Sequence, residues 1–185
     1  MDNGASSYRR FLEGDDDGIV EIIKDYKDGL MLYLNSFVQN IHIAEDLTED
    51  TFVKLIARRP RFSGKSTFKT WLYAIGRNVA LDFLRKSVKL PTVSAEEAMA
   101  LMADEEDVAR QYIRLERKLQ VHSAMKRLNK EYRQVLWLVF FEEFQNVQAA
   151  SIMGKSKKQM ENLVYRAKLS LKSELEKEGF VYEDL

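Results

Sequence analysis

Hydrophobic residues recur along most of this chain at the three- and four-residue spacing of amphipathic helices. Between residues 17 and 37 one such stripe consists of Ile19, Ile22, Ile23, Tyr26, Leu30, Leu34 and Phe37. The same spacing predicts helices over residues 43–58, about 66–86, about 146–153 and about 157–176, and residues 128–144 are strongly apolar. Because no stretch shows the two-residue alternation of a half-buried strand, the pattern predicts an all-α protein.

Two interruptions divide the helical pattern. Pro60 and Gly64 break it before the helix predicted over residues 66–86. After Leu90 and Pro91 the chain becomes acidic and poor in large apolar residues, and helical patterning returns from about residue 108. We therefore predict an N-terminal helical domain at 1–90, a flexible acidic linker at 91–119, within which Ser94 could cap a short helix, and a C-terminal domain at 120–185.

Composition excludes several kinds of protein. Hydrophobic residues make up 45% and charged residues 31% of the chain, which is typical of a folded domain, and no apolar run is long enough to span a membrane. Cysteine is absent, which excludes disulfides, thiolate metal sites and a thiol nucleophile, and His42 and His122 lie too far apart to indicate a metal site. We expect no metal, no cofactor and no catalytic residues. The N-terminus lacks the basic and then apolar pattern of a secretory signal, so we expect a cytoplasmic protein.

The formal net charge of zero conceals a strong segregation of charge. Residues 1–53 carry four basic and twelve acidic side chains, whereas residues 54–90 carry ten basic and one acidic. Residues 91–107 carry six acidic and no basic side chains, and residues 108–185 carry fifteen basic and ten acidic. The basic segment at 54–90 is also rich in aromatic residues, which favours a polyanionic partner over a merely solvated face.

Two Gly-Lys-Ser triplets, at residues 64–66 and 154–156, raise the possibility of a nucleotide-binding P-loop. That motif requires another glycine five residues earlier, so that the backbone can wrap around the phosphates, and a preceding strand. The corresponding positions are Arg59 and Ala149, and both triplets follow helical patterns. We interpret each triplet as a turn that begins a helix, with a capping box at Ser156 and Gln159.

The second triplet lies inside a pattern that fits a helix-turn-helix. Ala150 is small where two helices would cross, and Gly154 can adopt the positive φ of the turn. The inward stripe of the second helix is Met160, Leu163, Val164, Ala167 and Leu171, and its opposite face carries Lys158, Gln159, Asn162 and Arg166. Gln, Asn and Arg can form paired hydrogen bonds with base edges, and the neighbouring lysines can contact phosphates. The alternative is a helical hairpin with a solvated basic face.

The first triplet precedes a helix that combines basic, aromatic and amide side chains. Trp71 and Asn78 lie two turns apart along one side of this helix, and Phe62 and Lys65 lie in the loop before it. Arg61, Lys69 and Arg77 surround the same stretch. This combination suits unstacked single-stranded bases, although Trp71 alone is equally well explained as a core residue.

The stretches "AEDLTEDTFVKLIAR", "RFSGKSTFKTWLYAIGRNVALDFLRK" and "MGKSKKQMENLVYRAKLSLKSEL", in this order, resemble an extracytoplasmic-function sigma factor of the sigma-70 family. Phe-x-x-Trp-Leu-Tyr-x-Ile-x-x-Asn, from Phe68 to Asn78, is the most specific part of the resemblance. It implies a transcription initiation factor with two helical domains, corresponding to sigma regions 2 and 4. The implied partners are core RNA polymerase, through the clamp coiled coil of the beta-prime subunit and the beta flap, promoter DNA and an anti-sigma factor.

The resemblance also assigns roles to residues of this chain. The side chains that would read the melted minus-ten element are Arg61, Phe62, Ser63, Lys65, Trp71, Arg77 and Asn78. Those that would read the minus-thirty-five element are Ser156, Lys157, Lys158, Gln159, Asn162 and Arg166. Those that would dock on polymerase are Asp46, Glu49, Asp50, Phe52 and Leu55. Glu161 and Leu163 depart from the basic residues that relatives often carry there.

Two other hypotheses remain open at this point. The chain could be a DNA-binding regulator that does not join polymerase, or a nucleotide-dependent enzyme built on the Gly-Lys-Ser turns. Stoichiometric co-purification with core polymerase separates the first from a sigma factor, and equilibrium binding of a nucleoside triphosphate tests the second.

Overall fold

The computed structural model describes residues 3–87, 120–177 and 180. Its N-terminal helices are α1 (Asn3–Leu12), α2 (Asp17–Val38), α3 (Ile41–Arg58) and α4 (Phe68–Ser87). Its C-terminal helices are α5 (residues 120–127), α6 (Lys130–Leu136), α7 (Asn146–Met153) and α8 (Lys157–Lys177), with α6 continuing as a π-helical turn over Trp137–Phe141. The described ranges contain no strand, and the all-α prediction is confirmed. The predicted linker at 91–119 and its Ser94 cap lie outside these ranges.

The helices begin and end where local signals place them. Asn40 separates α2 from α3, and its side-chain oxygen accepts hydrogen bonds from the backbone amides of His42 and Ile43 at 3.1 and 3.2 Å. Asn129 caps α6 in the same way, accepting from the amide of Tyr132 at 2.9 Å. Gly154 ends α7 with a φ of 65°, the positive value that the sequence predicted for this turn.

Helix α1 was not predicted from the sequence. It carries few large apolar residues, but Tyr8 and Phe11 are buried against the other N-terminal helices. Small residues allow α1 to cross α2 closely, since a Cβ at Gly18 would overlap the carbonyl oxygen of Ser7. The helix therefore depends on a tertiary contact more than on a broad apolar stripe.

The core is continuous through both halves of the molecule. Leu34, Leu55, Phe68 and Leu72 are fully buried among the N-terminal helices. In the C-terminal half, the predicted inward stripe of α8 is buried at Met160, Leu163, Val164 and Ala167, and Leu171 is half-buried. Helix α4 packs against α7, and α2 packs against α6, so the two halves contact each other directly. Among the described residues, none of the helices combines the length and the apolar character needed to cross a bilayer.

Candidate nucleic-acid and polymerase interfaces

The loop between α3 and α4 holds its aromatic residue inward and its basic residues outward. Phe62 is half-buried, with its ring centroid 5.7 Å from that of Phe68 and 5.2 Å from that of Trp71. Arg61, Ser63 and Lys65 are exposed around it. Three of the predicted minus-ten side chains thus face solvent on a loop that an aromatic contact holds in place.

Two further features fix the shape of this loop. The Tyr8 hydroxyl, on α1, donates a hydrogen bond of 2.7 Å to the carbonyl oxygen of Pro60, where the loop begins. Burial raises the pKa of Tyr8 to about 12, so this hydroxyl is protonated at neutral pH. Gly64 has a φ of 70°, a conformation that residues with a Cβ rarely adopt.

Trp71 is half-buried within an aromatic cluster, with ring centroids 5.3 Å from Tyr8 and 5.5 Å from Phe68. It supports the loop from below while part of its ring stays accessible. On the next turns of α4, Asn78 is exposed and Arg77 is half-buried. The buried Nε of Arg77 has no hydrogen-bond partner among the described residues. Burial first, and then the charges of Arg133 and Arg77, lower the pKa of Lys130 in α6, which places the charge of Arg77 near the contact between the two halves.

The predicted recognition helix, α8, presents Lys158, Asn162 and Arg166 to solvent. Tyr165, which the sequence reasoning missed, is exposed on the same face, seven residues after Lys158 and three after Asn162. Its spacing from Lys158 and Asn162 is the sequence signal that could have placed Tyr165 on this face. Leu163, in contrast, is buried and supports the helix from inside.

Two residues predicted to read the minus-thirty-five element, Ser156 and Gln159, also cap the N-terminus of α8. The Ser156 amide donates to Oε1 of Gln159 at 2.9 Å, and the Gln159 amide donates to Oγ of Ser156 at 3.2 Å. The predicted capping box is confirmed. Because Oε1 of Gln159 serves the cap, its Nε2 is the group that remains for a base. Lys157 lies 3.9 Å from Glu161 in an exposed ion pair.

The predicted polymerase-docking helix, α3, requires a correction. Asp46, Glu49 and Asp50 are exposed, but Phe52 and Leu55 are only 5% and 0% exposed. These two side chains are core residues, so they can support the helix but cannot contact a partner. The exposed large apolar residues of α3 are Val53 and Ile56, at 58% and 41%. Val53 follows Asp46 by seven residues and Ile56 follows Glu49 by seven, so they share the acidic face.

The nucleotide hypothesis finds no support in this geometry. In the described part of the chain, both Gly-Lys-Ser turns follow helices, α3 and α7, where a P-loop would follow a strand. Within the same ranges, no cluster of histidine and carboxylate residues could hold a metal ion.

Comparisons with known proteins agree with the arrangement of the two halves. Residues 22–89 match the family model described as Sigma-70 region 2, and residues 118–171 match the model described as Sigma-70, region 4. The chain is 28% identical over 162 residues to RNA polymerase sigma factor YlaC of Bacillus subtilis, covering 87% of this chain and 94% of that protein. It is 27% identical over 155 residues to the extracytoplasmic-function sigma factor SigM of the same organism, covering 84% of this chain and 93% of SigM.

A solved structure has the same fold. It is the sigma factor RpoE in complex with the anti-sigma factor NepR from Bartonella quintana, which superposes with a TM-score of 0.69 at 22% identity. The match covers 84% of this chain and 95% of that one. The order of the two sigma regions, the near-complete coverage of the relatives and the shared fold lead to one conclusion: this chain belongs to the sigma-70 family and is an extracytoplasmic-function sigma factor for transcription initiation.

Proposed function

We propose that this sigma factor directs core RNA polymerase to its promoters by reading two promoter elements in two physical states. The N-terminal helices read the minus-ten element as melted single strand. The C-terminal helices read the minus-thirty-five element as duplex. The observation that carries the proposal is that one half presents exposed basic side chains on a buttressed aromatic loop beside an exposed amide on α4, and the other presents exposed basic and amide side chains on a helix-turn-helix.

The minus-ten loop is suited to hold an unstacked base. Arg61 and Lys65 provide exposed charge for the strand's phosphates, and Asn78 provides an exposed amide for a base edge. Phe62 and Trp71 supply the aromatic wall and floor of the loop. Because Tyr8 and Phe62 hold the loop before DNA arrives, little conformational freedom is lost on binding.

The recognition helix is suited to enter the major groove. Asn162 and Arg166 are exposed one turn apart on α8, and each can form paired hydrogen bonds with a base. Lys157 and Lys158 lie at the N-terminal end of the helix, where they can contact phosphates. Helix α7 would then cross the DNA backbone, as the first helix does in this motif.

Polymerase docking uses the exposed face of α3. The carboxylates of Asp46, Glu49 and Asp50 provide electrostatic attraction to a basic surface of the clamp coiled coil, and Val53 and Ile56 add apolar area that would be buried on binding. We extend the proposal to a contact of the C-terminal domain with the beta flap. The Bartonella sigma factor is bound to an anti-sigma factor, and we propose a regulator of this class for the present chain.

The test is transcription in vitro from genomic fragments by core polymerase with and without the full chain, with mapping of the start sites. We expect defined start sites that depend on the chain. Arg61→Ala should reduce initiation strongly, and Lys24→Ala, which removes an exposed positive charge from α2, should not. If the chain binds DNA but neither co-purifies with core polymerase nor produces defined starts, it is a DNA-binding regulator and the proposal is wrong.

A further inference from the structure

An acidic side chain of the C-terminal half is inserted into the N-terminal half. Glu142, just after the π-helical turn, receives a 2.6 Å hydrogen bond from the hydroxyl of Tyr73 on α4. The ammonium group of Lys69, also on α4, lies 2.9 Å from the same carboxylate oxygen and donates to the Glu142 carbonyl oxygen at 3.0 Å. The Glu142 side chain is only 10% exposed. A carboxylate this deeply buried is stable because charged and neutral donors meet it.

The recess around Glu142 is fitted to it. Gly29 of α2 leaves the necessary space, since a Cβ there would lie 2.8 and 2.9 Å from the two carboxylate oxygens and 2.6 Å from the Tyr73 hydroxyl. Phe144 closes the other side, with its ring edge-on to Tyr73 at 5.0 Å and 4.8 Å from the Lys69 ammonium. Charge, hydrogen bonding and shape thus converge on one position.

A second contact between the halves combines a hydrogen bond that favours closure with repulsion between like charges. The buried guanidinium of Arg133 on α6 donates from Nε to the Ser36 carbonyl oxygen of α2 at 2.8 Å. Burial first, and then the charges of Arg133 and Arg77, lower the pKa of Lys130 beside it. Of these charges only Arg77 lies on the other half, so its repulsion of Lys130 opposes closure, whereas the Arg133 hydrogen bond and the Glu142 contact favour it. Loss of one attractive ion pair shifts this balance towards the open state.

The Glu142 contact occupies basic charge that DNA would otherwise use. Lys69 lies on α4, between the minus-ten loop and Asn78, and in this structure its ammonium binds a carboxylate in place of a phosphate. Arg77, one of the predicted minus-ten readers, is half-buried near Lys130, at the second contact between the halves. Both cations are withheld from a DNA strand while the halves remain packed.

Distance also makes the packed arrangement incompatible with reading both elements. Elements centred about 25 base pairs apart on duplex DNA are separated by roughly 85 Å. A helical domain of about 85 residues has a radius of gyration of roughly 12 Å, so the centres of two packed domains lie roughly 30 Å apart. At full extension, residues 88–119 would reach at most ~110 Å, which is enough to bridge the two elements. The two halves must therefore separate before they can bind both promoter elements on the same DNA.

We propose that the structure is a closed, self-inhibited state in which Glu142 acts as an internal phosphate mimic on Lys69 and latches the two domains together. Opening exchanges this carboxylate for a DNA phosphate. The inference rests on the proposed promoter-reading function, but the latch itself can be tested without DNA.

The first measurement is domain closure in the free full-length chain. Because the chain contains no cysteine, Ser6→Cys on α1 and Ser173→Cys on α8 place one dye on each half, both at exposed positions. Glu142→Gln removes the charge and keeps the shape. We expect it to reduce the closed-to-open ratio roughly tenfold, seen as a loss of energy transfer. Glu143→Gln is the matched control, since it removes the neighbouring, exposed charge and should leave energy transfer unchanged.

The second measurement is binding of a fluorescent minus-ten single strand to the same proteins without polymerase. Glu142→Gln should bind several-fold more tightly than Glu143→Gln, although both lose one negative charge. Tyr73→Phe, which deletes a single latch hydrogen bond and keeps the ring, should shift both measurements in the same direction. Circular dichroism confirms that each variant is folded.

The outcomes separate the latch from the proposed function. Equal energy transfer in wild type, Glu142→Gln and Tyr73→Phe would overturn the latch, whatever the DNA results. Opening of Glu142→Gln without tighter single-strand binding than Glu143→Gln would overturn self-inhibition. A failure of the proposed function has a different signature, in which no variant, open or closed, binds the single strand or supports defined starts with core polymerase.

Discussion

The hydroxyl of Tyr8 joins a helix that the sequence did not reveal to the loop proposed to hold a melted base. Tyr8→Phe deletes the 2.7 Å hydrogen bond to Pro60 and leaves the ring in place among its aromatic neighbours. A neutral hydrogen bond contributes about 0.5–1.5 kcal/mol net. The substitution leaves the carbonyl oxygen of Pro60 without this donor in a partly buried position. We therefore expect the free energy of unfolding to fall by about 1 kcal/mol.

The assay is urea denaturation of the full chain followed by circular dichroism. Tyr165→Phe is the matched control, because it deletes the same atom from an exposed side chain. Surface changes of this kind alter stability by no more than about 0.5 kcal/mol. A stability of Tyr8→Phe that equals that of Tyr165→Phe would refute the claim that this hydroxyl holds the loop.

The loop supplies a second measurement. If the Tyr8 contact prearranges residues 61–65 for DNA, Tyr8→Phe should weaken binding of a minus-ten single strand, by up to about fivefold for 1 kcal/mol. No proposed DNA-contacting atom is changed, so the loss would come from the position of the loop. A less stable protein with unchanged single-strand affinity would show that the loop keeps its shape without α1.

Other expected outcomes address the remaining surfaces. Asn78→Ala should impair promoter opening more than polymerase binding, and equal losses in paired assays would count against a base-reading role. Arg166→Ala should weaken minus-thirty-five discrimination by roughly 1–3 kcal/mol, measured on a panel of promoter variants. Asp50→Lys should raise the Kd for core polymerase, and an unaltered Kd would remove Asp50 from the docking surface. The free energy of unfolding should be maintained up to about pH 10 and should fall at higher pH. Urea denaturation at a series of pH values measures it. Burial raises the folded-state pKa of Tyr8 to about 12 and also raises that of Tyr33, so the unfolded chain loses these protons first.

Much of the helical framework was predicted correctly from the sequence, because the signals that define these helices are local. The predicted helix over residues 146–153 matches α7, and the others differ from α2, α3, α4 and α8 by one or two residues at their ends. The Gly154 turn and the Ser156 capping box were also predicted correctly. These features depend on periodicity, on side-chain oxygens near amide groups and on the conformational freedom of glycine. Each of them acts over a few residues, so the sequence alone displays them.

On α3, only the tertiary structure showed which apolar side chains are buried. Phe52 and Leu55 were assigned to polymerase docking, but they face the core, and Val53 and Ile56 take the exposed positions. The apolar residues of α3 surround more of the helix than one stripe, and only packing against α2 and α4 decides which of them meets water.

The sequence by itself determined helices α2, α3, α4, α7 and α8, the Ser156 capping box, the charge segregation and the two motifs that indicate a sigma factor. The tertiary structure decided that α1 supports the minus-ten loop through Tyr8, and that Glu142 enters a recess between Gly29 and Tyr73. Glu142 lies 69 residues from Tyr73 along the chain. No periodicity or spacing rule connects residues so distant, because their proximity depends on how whole helices pack together.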